Sequence, residues 1–205
     1  TIIEKEYLFG HMPIFTANMI EFIHNDKTKY ELIHANFWMS AMVASDIKKK
    51  LGIPFVVTFH ALGYIRKIFQ GTQDKFPSER IEIERQIVRD ADQVIAECPQ
   101  DKEDLTVHYQ APPEKVTIIP CGFNPHEFYP LDRLLARAVL KLDPHEFILL
   151  QLGRVVPRKG IDNVIRAMQK VRQNSLVARL IVVGGETDSA EPTQDHEIAR
   201  LQDIA

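Results

Sequence analysis

Three cationic side chains and a glycine occupy a loop between an apolar segment and an amphipathic one. Residues 147–152, FILLQL, form a near-continuous apolar run, which is typical of a parallel strand covered on both faces. Arg154, Arg158 and Lys159 lie in the loop, and Gly160 follows them. The next apolar residues recur at helical spacing and predict a helix: Ile161, Val164, Ile165, Met168 and Val171. A helix start offers backbone N–H groups and the positive end of a dipole, so with these cations it would suit a diphosphate. The alternative interpretation is that these basic side chains are merely solvated and bind no ligand.

Other polar residues follow predicted strands at the same position. His34-Ala35-Asn36 comes at the end of the first strand, His60 directly after the second, and Gly153-Arg154 after the fifth. In a doubly wound sheet, ligands bind beyond the carboxyl ends of the strands, so this shared position points to a binding edge. For His60 the alternative is a histidine that finishes a strand and bonds a carbonyl. For Trp38, close to Asn36, burial in the core competes with a role as a stacking platform.

The elements that must position these residues alternate between strand and helix. Predicted strands occupy residues 31–35, 55–59, 93–96 and 116–119, with amphipathic segments between them. Gly52 is expected to end one helix in the left-handed conformation, and Ser78 to cap the start of another. This alternation predicts an α/β fold with a parallel, doubly wound sheet.

A second α/β segment follows a stretch rich in turn formers, in which Gly122 is expected to have positive φ. We predict a first domain at residues 1–122, a linker at 123–130 and a second domain at 131–205. The second domain should contain a helix around 133–142, strands 147–152 and 179–183, and a helical tail from 193. Two strands are too few for a stable second sheet, and the first segment lacks an opening strand with a glycine-rich turn. Both domains are therefore expected to be incomplete parts of a longer protein.

Composition narrows the classes of function. The 205 residues carry a net charge of −3, so nucleic-acid binding has no electrostatic support. No apolar run approaches the roughly 20 residues of a membrane span, whereas peripheral membrane contact is compatible with the sequence. Cys98 and Cys121 lack metal-ligand spacing, which favours a reduced, cytoplasmic setting without a metal site. Cys121 also has no evident paired base, so we do not expect a nucleophile there.

Several short motifs, in order, resemble one enzyme family. Gly153-Arg154 followed by Lys159-Gly160 is similar to the G-R-x4-K-G motif of the retaining, nucleotide-sugar-dependent glycosyltransferases of GT-B architecture (group 1, sucrose-phosphate synthase-like). Residues 58–63, TFHALG, resemble T-x-H-x-L-G, and residues 34–40, HANFWMS, resemble H-x-x-x-W-x-S-G, although Ala41 replaces the final glycine. Residues 120–124, PCGFN, resemble the turn at the crossover between domains, and residues 184–186, GGE, resemble a turn that borders the nucleotide. The family's E-x7-E segment is expected beyond Ala205.

The resemblance implies two Rossmann-like domains that bind a nucleotide-diphosphate sugar between them and pass the sugar to an acceptor hydroxyl with retention of configuration. It implies catalytic roles for His60, Arg154 and Lys159. It places the donor at Gly153, Arg154, Lys159, Gly160, Gly184, Gly185 and Glu186, and the acceptor near His34, Asn36 and Trp38. No cofactor or metal is expected, because the side-chain cations would neutralise the leaving diphosphate. The turn at Gly184-Gly185 could instead be purely conformational. A non-catalytic sugar- or nucleotide-binding module is the main alternative, and an epimerase of the same shape is a weaker one.

Overall fold

The computed structural model describes residues 3, 5–173, 177–185 and 196–205. The chain divides into two compact units, Thr1–Phe123 and Asn124–Ala205. Residues 119–132, around this division, form no helix or strand. Glu186 and residues 193–195, for which we predicted a donor contact and the start of the helical tail, lie outside the described residues.

The first unit alternates strands and helices as predicted. Its elements in chain order are α1 (Met12–Asn25), β1 (Ile33–Asn36), α2 (Trp38–Leu51), β2 (Phe55–Thr58), α3 (Gly63–Gln70), α4 (Arg80–Asp90), β3 (Gln93–Ala96), α5 (Pro99–Tyr109) and β4 (Val116–Ile118). Short 3-10 helices add Lys5–His11, Gly71–Gln73 and Pro113–Lys115.

All four strands of the first unit are parallel and follow one another in the order β1-β2-β3-β4. The register pairs Ala35 with Val57, Val57 with Val94, and Val94 with Val116. These four residues are almost completely buried, so they form one row through the core of the sheet. The parallel register brings the carboxyl ends of all four strands to one edge, which is where the candidate residues follow β1 and β2.

Three predictions about single residues, at Gly52, Ser78 and Gly122, can be compared with the backbone of the structure. Gly52 caps α2 with φ of 74°, as expected, because a residue without a Cβ takes this conformation at little cost. The predicted cap at Ser78 is wrong: α4 begins at Arg80, and the Ser78 hydroxyl instead donates to the carboxylate of Glu79. Gly122 is not among the residues with positive φ, so that prediction is also wrong.

The second unit contains α6 (Arg133–Val139), β5 (Phe147–Leu152), a 3-10 turn (Pro157–Lys159), α7 (Ile161–Gln173), β6 (Ala178–Val183) and α8 (His196–Gln202). The strands β5 and β6 pair in parallel over their full length. Among the residues of this unit whose burial is described, the buried ones are Val155, Ile161, Met168 and Leu201.

The prediction that β5 is covered on both faces is wrong for this structure. Phe147, Leu150 and Leu152 are 64%, 61% and 70% exposed, although the apolar sequence suggested full burial. Apolar character shows that a segment favours burial, but burial also requires neighbouring layers. In the described part of the second unit, β6 is the one strand that pairs with β5.

Among the described residues, no helix combines the length and the apolar character that crossing a membrane requires.

Candidate functional site

His60 lies two residues after the end of β2, at the edge where the four strands of the first unit end. Its Nε2 lies 2.8 Å from Oδ1 of Asn36, which ends β1, and its Nδ1 lies 2.9 Å from Oε1 of Glu97, which follows β3. The parallel sheet therefore gathers three polar side chains from three successive strands. The imidazole remains 46% exposed, so a ligand can reach it while its ring is held from both sides.

Two backbone positions next to these side chains are strained. Phe37 has φ of 74° and His60 has φ of 58°, both in the region that residues with a Cβ rarely occupy. The N–H of Phe37 donates to the carbonyl of Thr58 at 2.9 Å, and His34 Nε2 lies 2.9 Å from Thr58 Oγ1. Strain of this kind costs about 1–3 kcal/mol per residue and concentrates at functional sites.

Glu97 was missed by the sequence analysis. It accepts a hydrogen bond from the Cys121 thiol, whose Sγ lies 2.9 Å from the same Oε1 that contacts His60. The thiol and the imidazole together lower the pKa of the Glu97 carboxyl from its ordinary value. The rule that singled out His60, a polar residue directly after a parallel strand, also applies to Glu97 and was the signal available.

Cys121 does not have the surroundings of a nucleophile. Its hydrogen bond to the Glu97 carboxylate and the negative charge of that group raise the pKa of the thiol. A reactive cysteine needs the opposite shift, toward the thiolate. The expectation that this thiol is not a nucleophile therefore agrees with its contacts.

Trp38 has no surface on which a sugar could stack, contrary to the acceptor-side role implied for it. It begins α2 and is fully buried, with its ring centroid 5.3 Å from that of Phe9 and 6.2 Å from that of Phe76. Its side chain turns toward the core rather than toward the edge that carries Asn36 and His60. The alternative interpretation, a core tryptophan, describes it.

A buried ion pair lies under the loop that follows His60. Arg80 and Glu84 are 2% and 0% exposed, and Arg80 Nε donates to Glu84 Oε1 at 2.8 Å. Arg80 Nη2 donates to the Ala61 carbonyl at 2.5 Å, and the N–H of Gly63 donates to Glu84 Oε2 at 2.9 Å. The pair therefore fixes the backbone of the loop at two points.

Tyr109 completes this buried network. Its hydroxyl donates to Glu84 Oε2 at 2.6 Å and accepts from the N–H of Tyr64 at 2.8 Å. Burial and the Glu84 charge raise the pKa of the phenol, which stays neutral. A Cβ on Gly63 would lie 2.9 Å from Glu84 Oε2, so glycine is what lets the loop approach the carboxylate. Burial likewise raises the pKa of Glu84, against the opposing effect of Arg80.

The basic loop of the second unit lies between the carboxyl end of β5 and the start of α7. Gly153 follows β5 with φ of 150°, and the exposed side chains of Arg154 and Lys159 come after it. Gly160, with φ of 64°, turns the chain into α7, and its carbonyl accepts from the N–H groups of Asn163 and Val164. Lys159 lies two residues before α7 begins at Ile161, and Arg154 lies seven residues before it, next to the end of β5.

Gly184 and Gly185 follow β6 with φ of 147° and 139°. A Cβ on Gly184 would lie 1.8 Å from the carbonyl oxygen of Gly153, and Gly153 N–H bonds the Val183 carbonyl at 3.0 Å. The close approach that Gly184 permits is therefore to the backbone after β5. This observation favours the conformational interpretation of the turn, which supports the loop that carries Arg154.

Within the described residues, no group of three or more His, Cys, Asp or Glu side chains is arranged to hold a metal ion. The expectation that no metal is needed stays a prediction.

Two family models match the chain. The model of Glycosyltransferase Family 4 matches residues 2–127, and that of glycosyl transferases group 1 matches residues 132–203. A D-inositol 3-phosphate glycosyltransferase from Segniliparus rotundus is 33% identical over 91% of this chain and 42% of its own length. The chain spans about half the length of the curated relatives it matches.

Solved structures agree with the family models. Sucrose-phosphate synthase from Thermosynechococcus elongatus superposes with a TM-score of 0.79 and 31% identity. The superposition covers all of this chain and 48% of the synthase chain. Anabaena HepE, solved in complex with UDP and glucose, superposes on the whole chain and on 50% of its own. Its TM-score is 0.68, and at 18% identity it supports the fold alone. The predicted fold class is confirmed, and the chain belongs to glycosyltransferase family 4, with GT-B architecture.

Proposed function

We propose that the protein transfers a sugar from a nucleotide-diphosphate sugar to an acceptor hydroxyl with retention of configuration, as a hexosyltransferase. The observation that carries this proposal is the loop between β5 and α7, which holds two exposed cationic side chains, Arg154 and Lys159, in a chain of this family. The names of the relatives, an inositol phosphate glycosyltransferase and a sucrose-phosphate synthase, support a phosphorylated sugar or polyol as acceptor.

In this proposal Arg154 and Lys159 bind the diphosphate and stabilise the negative charge that develops on it as the bond to the sugar breaks. Guanidinium and ammonium groups make charge-assisted hydrogen bonds to phosphate oxygens, and the N–H groups at the start of α7 add donors. This stabilisation grows with the charge, so it lowers the barrier more than it strengthens substrate binding. These side chains supply the positive charge that a divalent metal would otherwise provide.

His60 contacts the donor sugar through Nε2, the ring nitrogen that faces Asn36. Asn36 and His34 at the end of β1 supply hydrogen-bonding groups on the acceptor side. The exposure of all three side chains is compatible with these roles, and the buried Arg80–Glu84 pair keeps the His60 loop in place.

The test is turnover in the intact enzyme with a panel of UDP-, ADP- and GDP-sugars. Arg154→Ala and Lys159→Ala should each lower kcat by about 10²-fold, the effect of losing one charge-stabilising contact of about 3 kcal/mol. Arg172→Ala is the matched control: this exposed cation lies in the last turn of α7, roughly 16 Å from its start at 1.5 Å per residue. Near-wild-type turnover in both loop variants would refute the role of the loop.

His60→Ala separates the contribution of the first unit. It should lower the rate of transfer more than it weakens nucleotide binding, because the nucleotide is assigned to the second unit. A variant that loses only stability, with normal turnover of the folded fraction, would make His60 a structural residue.

A further inference from the structure

Glu97 is the one acidic side chain in contact with His60 among the described residues, and its position is itself fixed. Its backbone N–H donates to Oδ2 of Asp101, in the first turn of α5, at 3.2 Å. Its Oε1 accepts from the Cys121 thiol at 2.9 Å. The carboxylate is 23% exposed, so it is partly withdrawn from water beside an imidazole that is twice as accessible.

From this geometry we propose that Glu97 is a positioning residue for His60. It fixes the ring orientation and keeps the proton on Nδ1, which leaves Nε2 as the reactive nitrogen. The proposal rests on the proposed function for the catalytic importance of His60, but its structural content can be measured independently.

The tautomer follows from the chemistry of the two partners. An ionised carboxylate can only accept a hydrogen bond, so the Nδ1 that lies 2.9 Å away must carry a proton. Its bonds keep Glu97 ionised, because they lower its pKa. Asn36, on the other side, can present either its oxygen or, after rotation of the amide, its nitrogen. With the proton on Nδ1, Nε2 of the neutral ring carries the lone pair and accepts a hydrogen bond, either from the Asn36 amide nitrogen after that rotation or from a ligand hydroxyl.

The physical consequence is a ring prepared for a hydrogen bond to a sugar hydroxyl. A carboxylate behind a histidine fixes its tautomer and orientation in many sites, and it raises the basicity of the opposite nitrogen. Without Glu97, the imidazole would be free to turn about its side-chain bonds and to protonate either nitrogen. The strained φ of His60 shows that the backbone already presents the ring to Glu97 and Asn36 at an energetic cost.

The direct experiment is long-range ¹H–¹⁵N NMR of the chain labelled at histidine, at a pH where the imidazoles are neutral. The signals of His60 among the eight histidines are assigned by their loss in His60→Gln. The wild-type spectrum should show a protonated Nδ1 and an unprotonated Nε2. Glu97→Leu should move His60 toward the Nε2–H tautomer that free imidazole prefers, and Glu97→Gln should give a mixture, since an amide can accept or donate.

Glu103→Gln is the matched control, because it removes the same charge from an exposed position on α5 and should leave the His60 signals unchanged. A wild-type His60 that is mainly Nε2–H, or a tautomer unaffected by Glu97→Leu, overturns the proposal. In the intact enzyme, Glu97→Gln should lower kcat on the order of tenfold, with KM near its wild-type value. If the NMR signals change as expected but kcat stays normal, Glu97 positions the ring and the catalytic use of His60 is refuted. Failure of the positioning proposal and failure of the proposed function therefore give different results.

Discussion

Replacing Glu84 by alanine should cost the first unit a large part of its stability. Glu84 is fully buried and receives hydrogen bonds from Arg80, Gly63 and Tyr109. Alanine would leave the guanidinium of Arg80 buried without its counter-ion. Removing one member of a buried ion pair costs about 3–5 kcal/mol, and orphaned donors add to the loss. We therefore expect a loss of about 4 kcal/mol.

The change can be followed by urea denaturation through the fluorescence of Trp38, the single tryptophan of the chain, whose ring centre lies 5.7 Å from the Arg80 guanidinium. For an m-value of about 2 kcal/mol per molar, the midpoint should fall by about 2 M. Glu82→Ala, on the exposed face of the same helix, is the control and should change the free energy of unfolding by less than about 0.5 kcal/mol.

The double variant Arg80→Leu/Glu84→Leu tests the cause of that loss. Because it removes both charges, it should be more stable than the sum of the two single leucine variants predicts. The reasoning fails if Glu84→Ala shifts the midpoint no more than Glu82→Ala does, or if the two leucine substitutions are simply additive.

Three further predictions concern the glycine turn, the acidic side chain beside His60 and the absence of a metal requirement. Gly184→Ala would force its Cβ, at 1.8 Å from the Gly153 oxygen, back to at least 3.0 Å. With the strain at positive φ, it should destabilise the second unit by roughly 3 kcal/mol and lower hydrogen-exchange protection in β5 and β6. Gly122→Ala has nothing within 4 Å of its Cβ and should change little. Because the folded pKa of Glu97 lies below the ordinary value of 4.5, its contribution to stability is present above that value and is lost as pH falls through the folded pKa. Glu97→Gln should therefore flatten the acid side of the stability profile, and a profile that matches wild type would contradict this. Turnover in the intact enzyme should be unchanged by EDTA, whereas a loss restored by added Mg²⁺ would contradict the assignment of charge neutralisation to side chains.

The alternation of strands and helices could be predicted from the sequence because each strand is a short apolar run and the segments between the runs have the residue pattern of helices. The bounds of β3 and β5 agree with the prediction, since polar or turn-forming residues flank both runs. The burial of β5 could not be predicted in the same way. A run such as FILLQL indicates a tendency to be covered, but the covering layers come from elsewhere in the chain.

The site was predictable where one local rule applied, and not where contacts join distant residues. The position of His60 and Asn36 at the strand ends followed from the topology of parallel sheets. The bonds of Glu97 to His60 and Cys121 join residues 37 and 24 positions apart, and they emerge only when the strands are aligned. The Arg80–Glu84 pair resembles an ordinary surface pair at i, i+4 until its burial is known. For Trp38 the sequence motif suggested a role at the surface, but the side chain is buried in the core. The roles of Arg154 and Lys159 stay predictions.

Isothermal titration of the intact enzyme with UDP, ADP and GDP, each beside its parent nucleoside, tests the diphosphate assignment most directly. One of the diphosphates should bind, and Lys159→Ala should weaken that diphosphate at least tenfold, as expected for a charge-assisted bond of about 1.5–3 kcal/mol, while the nucleoside binds as before. Equal losses for diphosphate and nucleoside, or unchanged binding of the diphosphate, would contradict the claim that the loop after β5 holds the leaving group.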